Sequence, residues 1–237
     1  MLLKRWVAAG GDLVKRALPG YCAFCLEPLE GGVSWCSACY EQLPWNHPAC
    51  PCCGDQLTSN HQTLCGHCVS KRPAFEAAHV ALRYALPINK LVHDFKFNAR
   101  PRAGMLLCEL MQDSLPSPPF DAIMPVPMTP QRARERGFNQ ARWLALELAR
   151  QSGLPMLEAR RLKQGPSQRQ LNRQARFANL AGAFVVDTPP PAYVAIVDDV
   201  VTTGATAHAL ALALRRAGAQ RVDVWAAARI PLVVDDA

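Results

Sequence analysis

The chain has 237 residues and a formal net charge of +7; half of its residues are hydrophobic and 19% are charged. This balance is typical of a globular protein with one substantial domain and a small appendage, or with two modest domains. No apolar run approaches the roughly 18–20 residues of a membrane span, and we expect none. The basic first 20 residues lack a continuous apolar stretch. They predict a lead-in segment with a short amphipathic helix rather than a signal peptide, and therefore a cytoplasmic protein.

Cysteine is concentrated near the start of the chain, with nine of ten residues between Cys22 and Cys68 and only Cys108 outside. Without a secretory signal, such clustering is more typical of metal binding than of disulfides. CxxC spacing lets both thiolates of a pair reach one ion at about 2.3 Å. Four such pairs predict two tetrahedral zinc sites in a module over 21–72. The ligands are Cys22, Cys25, Cys36, Cys39, Cys50, Cys53, Cys65 and Cys68.

The spacing does not determine which CxxC pairs share a zinc ion. Sequential pairing joins positions 22, 25, 36 and 39 on one ion and 50, 53, 65 and 68 on the other, whereas an interleaved arrangement uses alternate pairs. Cys52 is a competing ligand, and three histidines are substitutes that a full set of cysteines makes unnecessary. Gly54 is suited to turning the backbone after the third pair. Because the module is small, we expect metal to supply its folding energy. The histidines are His47, His61 and His67.

Aromatic residues lie among these cysteines. We expect them to form the core of the small module, and stacking on exposed bases is the alternative. They are Tyr21, Trp35, Tyr40 and Trp45.

From about residue 75 to residue 232, apolar segments alternate with helical patterns. Strands are predicted at 80–84, 121–125, 193–197 and 222–226. A helix or turn is predicted at 88–97, and helices at 104–111, at about 138–148 and at 206–217, the last ended by Gly218. This alternation predicts a mainly parallel sheet with helices on both faces and a ligand at the carboxyl ends of the strands.

The segment VAIVDDVVTTGAT at 194–206 joins a predicted strand to a predicted helix. Asp198 and Asp199 end the strand, and their carboxylates suit ribose hydroxyls or hydrated Mg²⁺. The loop that follows has successive N–H groups, threonine hydroxyls and a helix dipole, which together attract a phosphate. An ordinary strand-to-helix turn is the alternative, and it leaves the paired carboxylates unexplained. The loop residues are Thr202, Thr203, Gly204, Ala205 and Thr206.

This segment resembles the signature of type I phosphoribosyltransferases, which bind phosphoribosyl pyrophosphate (PRPP). The resemblance implies that Asp198 and Asp199 hold the ribose 2′- and 3′-hydroxyls, that loop 202–206 holds the 5′-phosphate, and that Mg²⁺ accompanies the ligand. Two further blocks, PVPMTPQRARERGFNQ at 125–140 and the segment 167–184, are similar to the ComF/GntX-like family. Many of its members begin with a double zinc ribbon. The resemblance implies a phosphoribosyltransferase-like parallel sheet behind an N-terminal zinc-ribbon module. Cys52 and the stretch 163–165 depart from the family pattern.

Positive charge is concentrated at 132–176, where eleven Arg and Lys oppose three Glu, an excess of 11 − 3 = +8. Such a stretch attracts pyrophosphate or nucleic acid, and a solvated helical surface is the alternative. Arg132, Arg134 and Arg136 alternate, so they cannot all face one way on a helix. We expect Arg132, Arg136 and Lys96 to contact the PRPP phosphates.

Two functions are compatible with these features. The first is a phosphoribosyltransferase, a pentosyl-transferring enzyme, linked to DNA uptake and utilisation in competence, with partner proteins from that process. Asp198 and Asp199 would fix the ribose, and a mobile loop over 163–176 would exclude water. The second is a non-catalytic single-stranded nucleic-acid-binding protein. It would use the ribose-phosphate site for sensing or docking, with the zinc module and basic segment gripping the strand. The motifs identify no acceptor.

Overall fold

The structure, a computed structural model, describes residues 20–30, 32–59, 61–115, 117–162 and 180–232. The predicted lead-in helix and the predicted mobile loop over 163–176 lie outside these ranges. The chain divides into two compact units, Met1–Leu43 and Pro44–Ala237. None of the helices in the described ranges combines the length and the apolar composition that a bilayer crossing requires.

The first unit is a small hairpin followed by a short helix. Strands β1 (Gly20–Tyr21) and β2 (Pro28–Leu29) pair antiparallel, and helix α1 spans Ser37–Glu41. The Trp35 ring stacks between Phe24 and Tyr40, with ring centroids 6.4 and 5.8 Å away. Among the described residues of this unit, Cys22, Leu29 and Leu43 are buried, whereas Tyr21, which was expected in the core, is exposed.

The second unit is built on a four-stranded sheet in the order β3-β8-β7-β4, and every pair in it is parallel. Its strands are β3 (Ala78–Arg83), β4 (Ala122–Pro125), β7 (Tyr193–Val201) and β8 (Arg221–Arg229). A separate antiparallel pair joins β5 (Arg160–Arg161) to β6 (Phe184–Val185). The helices are α2 (Gly66–Ser70), α3 (Ile88–Phe97), α4 (Pro101–Ser114), α5 (Pro130–Arg136), α6 (Gln140–Ser152) and α7 (Ala205–Arg216).

Helices cover both faces of this sheet, so the predicted fold class is confirmed. On one face, Val222, Val224 and Ala226 of β8 share a core with Leu210 and Leu214 of α7. On the other face, the indole N–H of Trp225 donates to the Met111 carbonyl of α4 at 3.4 Å, and α4 packs against α6. Because the central strands are buried on both sides, they read as nearly continuous apolar runs.

The second group of cysteines belongs to the same core as the sheet. Cys50, Cys53, Cys65 and Cys68 pack in one cluster with α7 and the inner face of β8. Gly54 has φ +69°, and a Cβ there would lie 2.8 Å from Val80 Cγ2 in β3. Only a residue without a side chain fits this turn so closely against the sheet.

Residues before these cysteines cover the outer edge of β3. The Pro44 carbonyl accepts from Arg83 N–H at 2.7 Å, and Asn46 N–H donates to the Ala81 carbonyl at 3.0 Å. The strand edge is thereby protected from pairing with another chain.

Two strands extend past their predicted ends, and one of them, β8, runs to Arg229 rather than stopping at residue 226. Strand β7 runs to Val201 rather than stopping at residue 197, because it stays in register with β8 as far as the pair Val201↔Arg229. Asp198 and Asp199 therefore lie within the strand. Helix α7 begins at Ala205, one residue earlier than predicted, and Gly218 follows it with φ +117°.

Candidate functional site

A cleft of about 180 Å³ is lined mainly by the loop that follows β4 and by the last part of β7. Asp198 and Asp199 both line it. The Asp199 carboxylate is largely buried, and its Oδ2 lies 2.9 Å from Lys96 Nζ on α3. The Asp199 N–H donates to Asp198 Oδ1 at 2.9 Å. The fold thus places Asp199 against Lys96, which was among the predicted site residues.

Three arginines complete the charged lining of the cleft. Arg132 and Arg136 lie on one face of α5 because they are four residues apart, whereas Arg134 is exposed and does not line the cleft. The third, Arg161, comes from β5 and was not among the predicted site residues. Among the described lining residues, four cations therefore oppose two carboxylates. An excess of positive charge in a concave site favours an anionic ligand.

The turn between α5 and α6 explains the motif RGFNQ at 136–140. Gly137, with φ +79°, ends α5, and the Asn139 side chain accepts from Arg142 N–H at 3.2 Å at the start of α6. The Asn139 amide also donates to the Val126 carbonyl at 3.1 Å. Arg136 donates to the buried Gln140 side chain at 3.1 Å. These contacts fix the loop after β4 and aim Arg136 along the cleft.

Two of the charged groups in the cleft have shifted pKa values. Burial and the neighbouring Asp199 raise the pKa of Asp198 to about 8, although Lys96 partly opposes the shift. Burial, and then nearby Arg132, lowers the pKa of Arg161. A divalent cation would stabilise the charged form of the carboxylates, and phosphate oxygens would stabilise the charged form of the arginines. A ligand that supplies both would therefore neutralise both kinds of charge. Carboxylate oxygens suit either hydrated Mg²⁺ or the hydroxyls of a diol, and Asp198 and Asp199 are the residues that would hold such a group.

The predicted phosphate loop runs from the end of β7 into the start of α7. Gly204 is the N-cap of α7 with φ +75°, and the neighbouring Thr203 hydroxyl accepts from the Ala205 N–H at 3.4 Å. The first N–H groups of a helix of this length carry partial positive charge. Thr206 lines the cleft, whereas Thr203 and Gly204 line a second cavity of about 560 Å³. Ala205 is buried and Thr202 is exposed.

The eight predicted metal ligands form two groups in chain order rather than alternately. Within each group the four Sγ atoms lie within 4.8 Å of one another. A tetrahedral zinc–thiolate site has sulfur atoms about 3.8 Å apart, given a Zn–S distance of about 2.3 Å. The Sγ atoms of Cys25 and Cys36 are 3.8 Å apart, and those of Cys53 and Cys65 are 3.5 Å apart. Both groups therefore suit a zinc ion. The first cluster is Cys22, Cys25, Cys36 and Cys39, and the second cluster is Cys50, Cys53, Cys65 and Cys68.

The electrostatics of the thiols agree with a metal requirement. Burial raises the pKa of Cys22, but N–H groups of Cys25, Cys36 and Phe24 outweigh it and bring the pKa to about 6. Burial, followed by repulsion from Cys50 and Cys65, raises the pKa of Cys53 to about 12. Four thiols this close cannot all ionise without a cation, so zinc and thiolate formation are coupled.

The alternative ligands lie outside both clusters. Across the described ranges, neither cluster includes a histidine. Cys52 is buried beside the second cluster, and burial raises the pKa of its thiol. It fills space against the core instead of completing either set of four.

These features define a class: a parallel α/β unit with a cationic cleft over paired carboxylates, joined to two four-cysteine clusters. Comparison with known proteins narrows it. Residues 13–69 match the double zinc ribbon domain family. The chain is 33% identical over 182 residues to competence protein F of Haemophilus influenzae, covering 70% of this chain and 78% of the relative. It is 34% identical over 177 residues to the DNA utilization protein YhgH of Escherichia coli K12, covering 70% and 77%.

The chain belongs to the family of competence protein F and YhgH, as its sequence motifs predicted. A further relative is competence protein ComFC of Bacillus subtilis, 32% identical over 100 residues, with 40% of this chain and 39% of the relative covered.

The chain is also similar, over part of its length, to two solved structures. One is orotate phosphoribosyltransferase from Aeropyrum pernix, with TM-score 0.36, 18% identity and coverage of 56% of this chain and 75% of that chain. The other is adenine phosphoribosyltransferase from Rhodothermus marinus, with TM-score 0.35, 17% identity and coverage of 56% and 82%.

The position of the two clusters predicts different consequences of losing one zinc. Cys65→Ser should remove one zinc per chain and markedly lower the melting temperature of the α/β unit, because the second cluster is part of its core. Cys36→Ser, the matched control, should also remove one zinc but shift that transition less. For each variant, mass spectrometry measures the zinc content and calorimetry measures the melting temperature. Equal shifts in melting would contradict the assignment of the second cluster to this core.

Proposed function

We propose that the chain binds PRPP, with Mg²⁺, in the cleft over Asp198 and Asp199. The observation that carries the proposal is a single cleft lined by two adjacent carboxylates, four cations and Thr206 of α7, with Lys96 paired to Asp199. The carboxylates match a diol or a hydrated cation, and the cations match phosphate oxygens. One ligand that offers a diol, a monophosphate and a pyrophosphate uses every part of the site.

We assign a role to each part of the cleft. Asp198 and Asp199 accept hydrogen bonds from the ribose hydroxyls, and loop 202–206 with the start of α7 receives the 5′-phosphate. Lys96, Arg132, Arg136 and Arg161 surround the pyrophosphate. When bound, Mg²⁺ supplies further charge neutralisation to the pyrophosphate oxygens.

The same residues are suited to a phosphoribosyl transfer, and we propose the family's DNA-linked context for it. Fixed carboxylates would stabilise the positive charge that develops at C1′, while the arginines would stabilise the departing pyrophosphate. Competence protein F and YhgH carry names that refer to competence and DNA utilisation. We therefore propose a phosphoribosyltransferase of DNA uptake or reuse, acting in the cytoplasm, where thiols stay reduced for zinc. Pyrophosphate release in the presence of nucleobases, amines and nucleic-acid ends tests for transfer.

Binding itself is tested by removing the carboxylates. The double variant Asp198→Ala/Asp199→Ala should lose affinity for Mg²⁺–PRPP by at least about 100-fold, because two charge-assisted contacts disappear. Titration calorimetry measures the affinity. The control is Asp121→Ala, because Asp121 accepts the Tyr193 N–H at the opposite end of β7 and does not line the cleft. Equal binding by the double variant and wild type would overturn the site assignment.

The neighbouring arginines of β5 provide a matched pair for the pyrophosphate end of the site. Arg161 lines the cleft, whereas Arg160 is exposed and donates to Asp187 at 2.7 Å. Arg161→Ala should weaken PRPP and inorganic pyrophosphate binding by about tenfold or more, as loss of a charge-assisted contact predicts. Arg160→Ala should leave both affinities, measured by titration calorimetry, unchanged. A larger effect of Arg160→Ala would place the phosphates outside the cleft.

A second candidate function is single-stranded nucleic-acid binding that uses the cleft for sensing or docking without transfer. Two observations favour it: Lys71 and Arg72 are exposed at the second cavity, and Trp35 is partly exposed in its stack with Phe24 and Tyr40. Cations that follow a backbone and aromatic rings that stack on bases are the usual means of single-strand binding.

The salt dependence of oligonucleotide binding tests this second function. The affinity for a single-stranded oligonucleotide should fall with salt, with a log–log slope of about −0.7 per phosphate contacted. Lys71→Ala/Arg72→Ala should reduce the steepness of that slope relative to wild type, and fluorescence anisotropy provides the measurement. A slope near zero in wild type would exclude the electrostatic grip on which this function depends.

A further inference from the structure

A buried arginine connects the second cysteine cluster to the phosphate loop. Arg229 is the last residue of β8, and only 1% of its surface is exposed. Its Nη1 donates to the Thr202 carbonyl at the start of the loop. Its Nη2 lies 3.6 Å from Oδ1 of Asp55, a carboxylate that is itself 7% exposed. A charge this deeply buried persists only when its partners are fixed around it.

On one side, Asp55 is part of the turn that carries Cys50 and Cys53. Its carbonyl accepts from Cys50 N–H at 2.7 Å, and its Oδ1 accepts from Leu232 N–H at 3.0 Å. Gly54, with φ +69°, precedes it and packs on the sheet. The position of the Asp55 carboxylate is therefore set by the geometry of the second cluster.

On the other side, Thr202 opens the loop that leads into α7. The strand pairing ends at Val201↔Arg229, so the first residue beyond the ladder is the one whose carbonyl Arg229 holds. The Phe75 ring lies against Gly204, since a Cβ there would be 3.7 Å from Phe75 Cζ. Phe75 and Arg229 thus support the loop from the side of the second cavity.

The residues that line the second cavity also show that the second cluster and the loop lie close together. Its walls include Cys53 and Cys68 of the second cluster, Thr203 and Gly204 of the loop, and Arg229. All of these residues lie in the unit Pro44–Ala237. The cluster and the loop are therefore neighbours across a single side chain.

We infer that Arg229 is a positioning residue that couples the second cysteine cluster to the phosphate loop. Zinc at the cluster fixes Asp55, Asp55 fixes the Arg229 guanidinium, and Arg229 holds the Thr202 carbonyl, which sets the course of the loop into α7. Coupling of two binding sites is reciprocal, so a ligand in the cleft also strengthens zinc retention at this cluster. The ligand half of the inference rests on the proposed PRPP function.

Hydrogen exchange tests the positioning role without any ligand. In Arg229→Met, amides of residues 200–206 should exchange about tenfold faster or more, as loss of a charge-assisted hydrogen bond predicts. Arg221→Met is the control, because Arg221 pairs with buried Asp223 at 3.1 Å at the opposite end of the same strand. If Arg229→Met fails to fold, Asp55→Asn replaces it, since asparagine still accepts the Leu232 N–H. Unchanged exchange in 200–206 would overturn the inference.

Zinc retention tests the coupling itself. Cys36→Ser removes the zinc of the first cluster, so any zinc that this variant releases comes from the second cluster. In this background, Mg²⁺–PRPP should slow zinc release to a chelator severalfold. The same ligand should have no such effect after Arg229→Met, and Arg221→Met should behave as the background does. Protection that persists without Arg229 would contradict the inference. If the background protein binds no PRPP, the proposed function fails instead, and exchange of the loop amides alone decides the role of Arg229.

Discussion

Two adjacent carboxylates at the end of a buried strand are the constraint on which the rest of the site depends. Asp198 and Asp199 cannot both remain charged in a concave, partly dehydrated place unless cations surround them. Lys96 Nζ lies 2.9 Å from Asp199 Oδ2. The pKa of Asp198 nevertheless stays raised, to about 8. The protein therefore leaves a carboxylate that a bound cation would bring to its charged form.

Parallel strands explain how so many charges meet in one place. The carboxyl end of β4 lies beside Val197 of β7, and both strands run in the same direction, so the loops that follow them open on the same edge of the sheet. One loop leads into α5 with Arg132 and Arg136, and the other leads into α7 at Gly204. The second cluster packs on the face of the sheet that α7 covers, so metal binding and the phosphate loop share one core.

Local patterns predicted much of this, and non-local contacts account for the rest. The spacing of the cysteines, the alternation of strands and helices, and the segment at 194–206 are signals carried by neighbouring residues. Arg161 gave no such signal, because β5 is positioned by pairing with β6, more than twenty residues away. The composition changes near residue 75, yet the compact units divide between Leu43 and Pro44. The second cluster joins the sheet through packing at Gly54, which the sequence shows only as a suitable turn residue.

The central claim is that the cleft holds PRPP through Asp198, Asp199 and the loop before α7. A crystal structure with Mg²⁺–PRPP tests it most directly. The account predicts ribose hydroxyls at the two carboxylates, the 5′-phosphate at loop 202–206 and the pyrophosphate among Lys96, Arg132, Arg136 and Arg161. Ligand density at another place on the chain, or an empty cleft at saturating ligand, would contradict it.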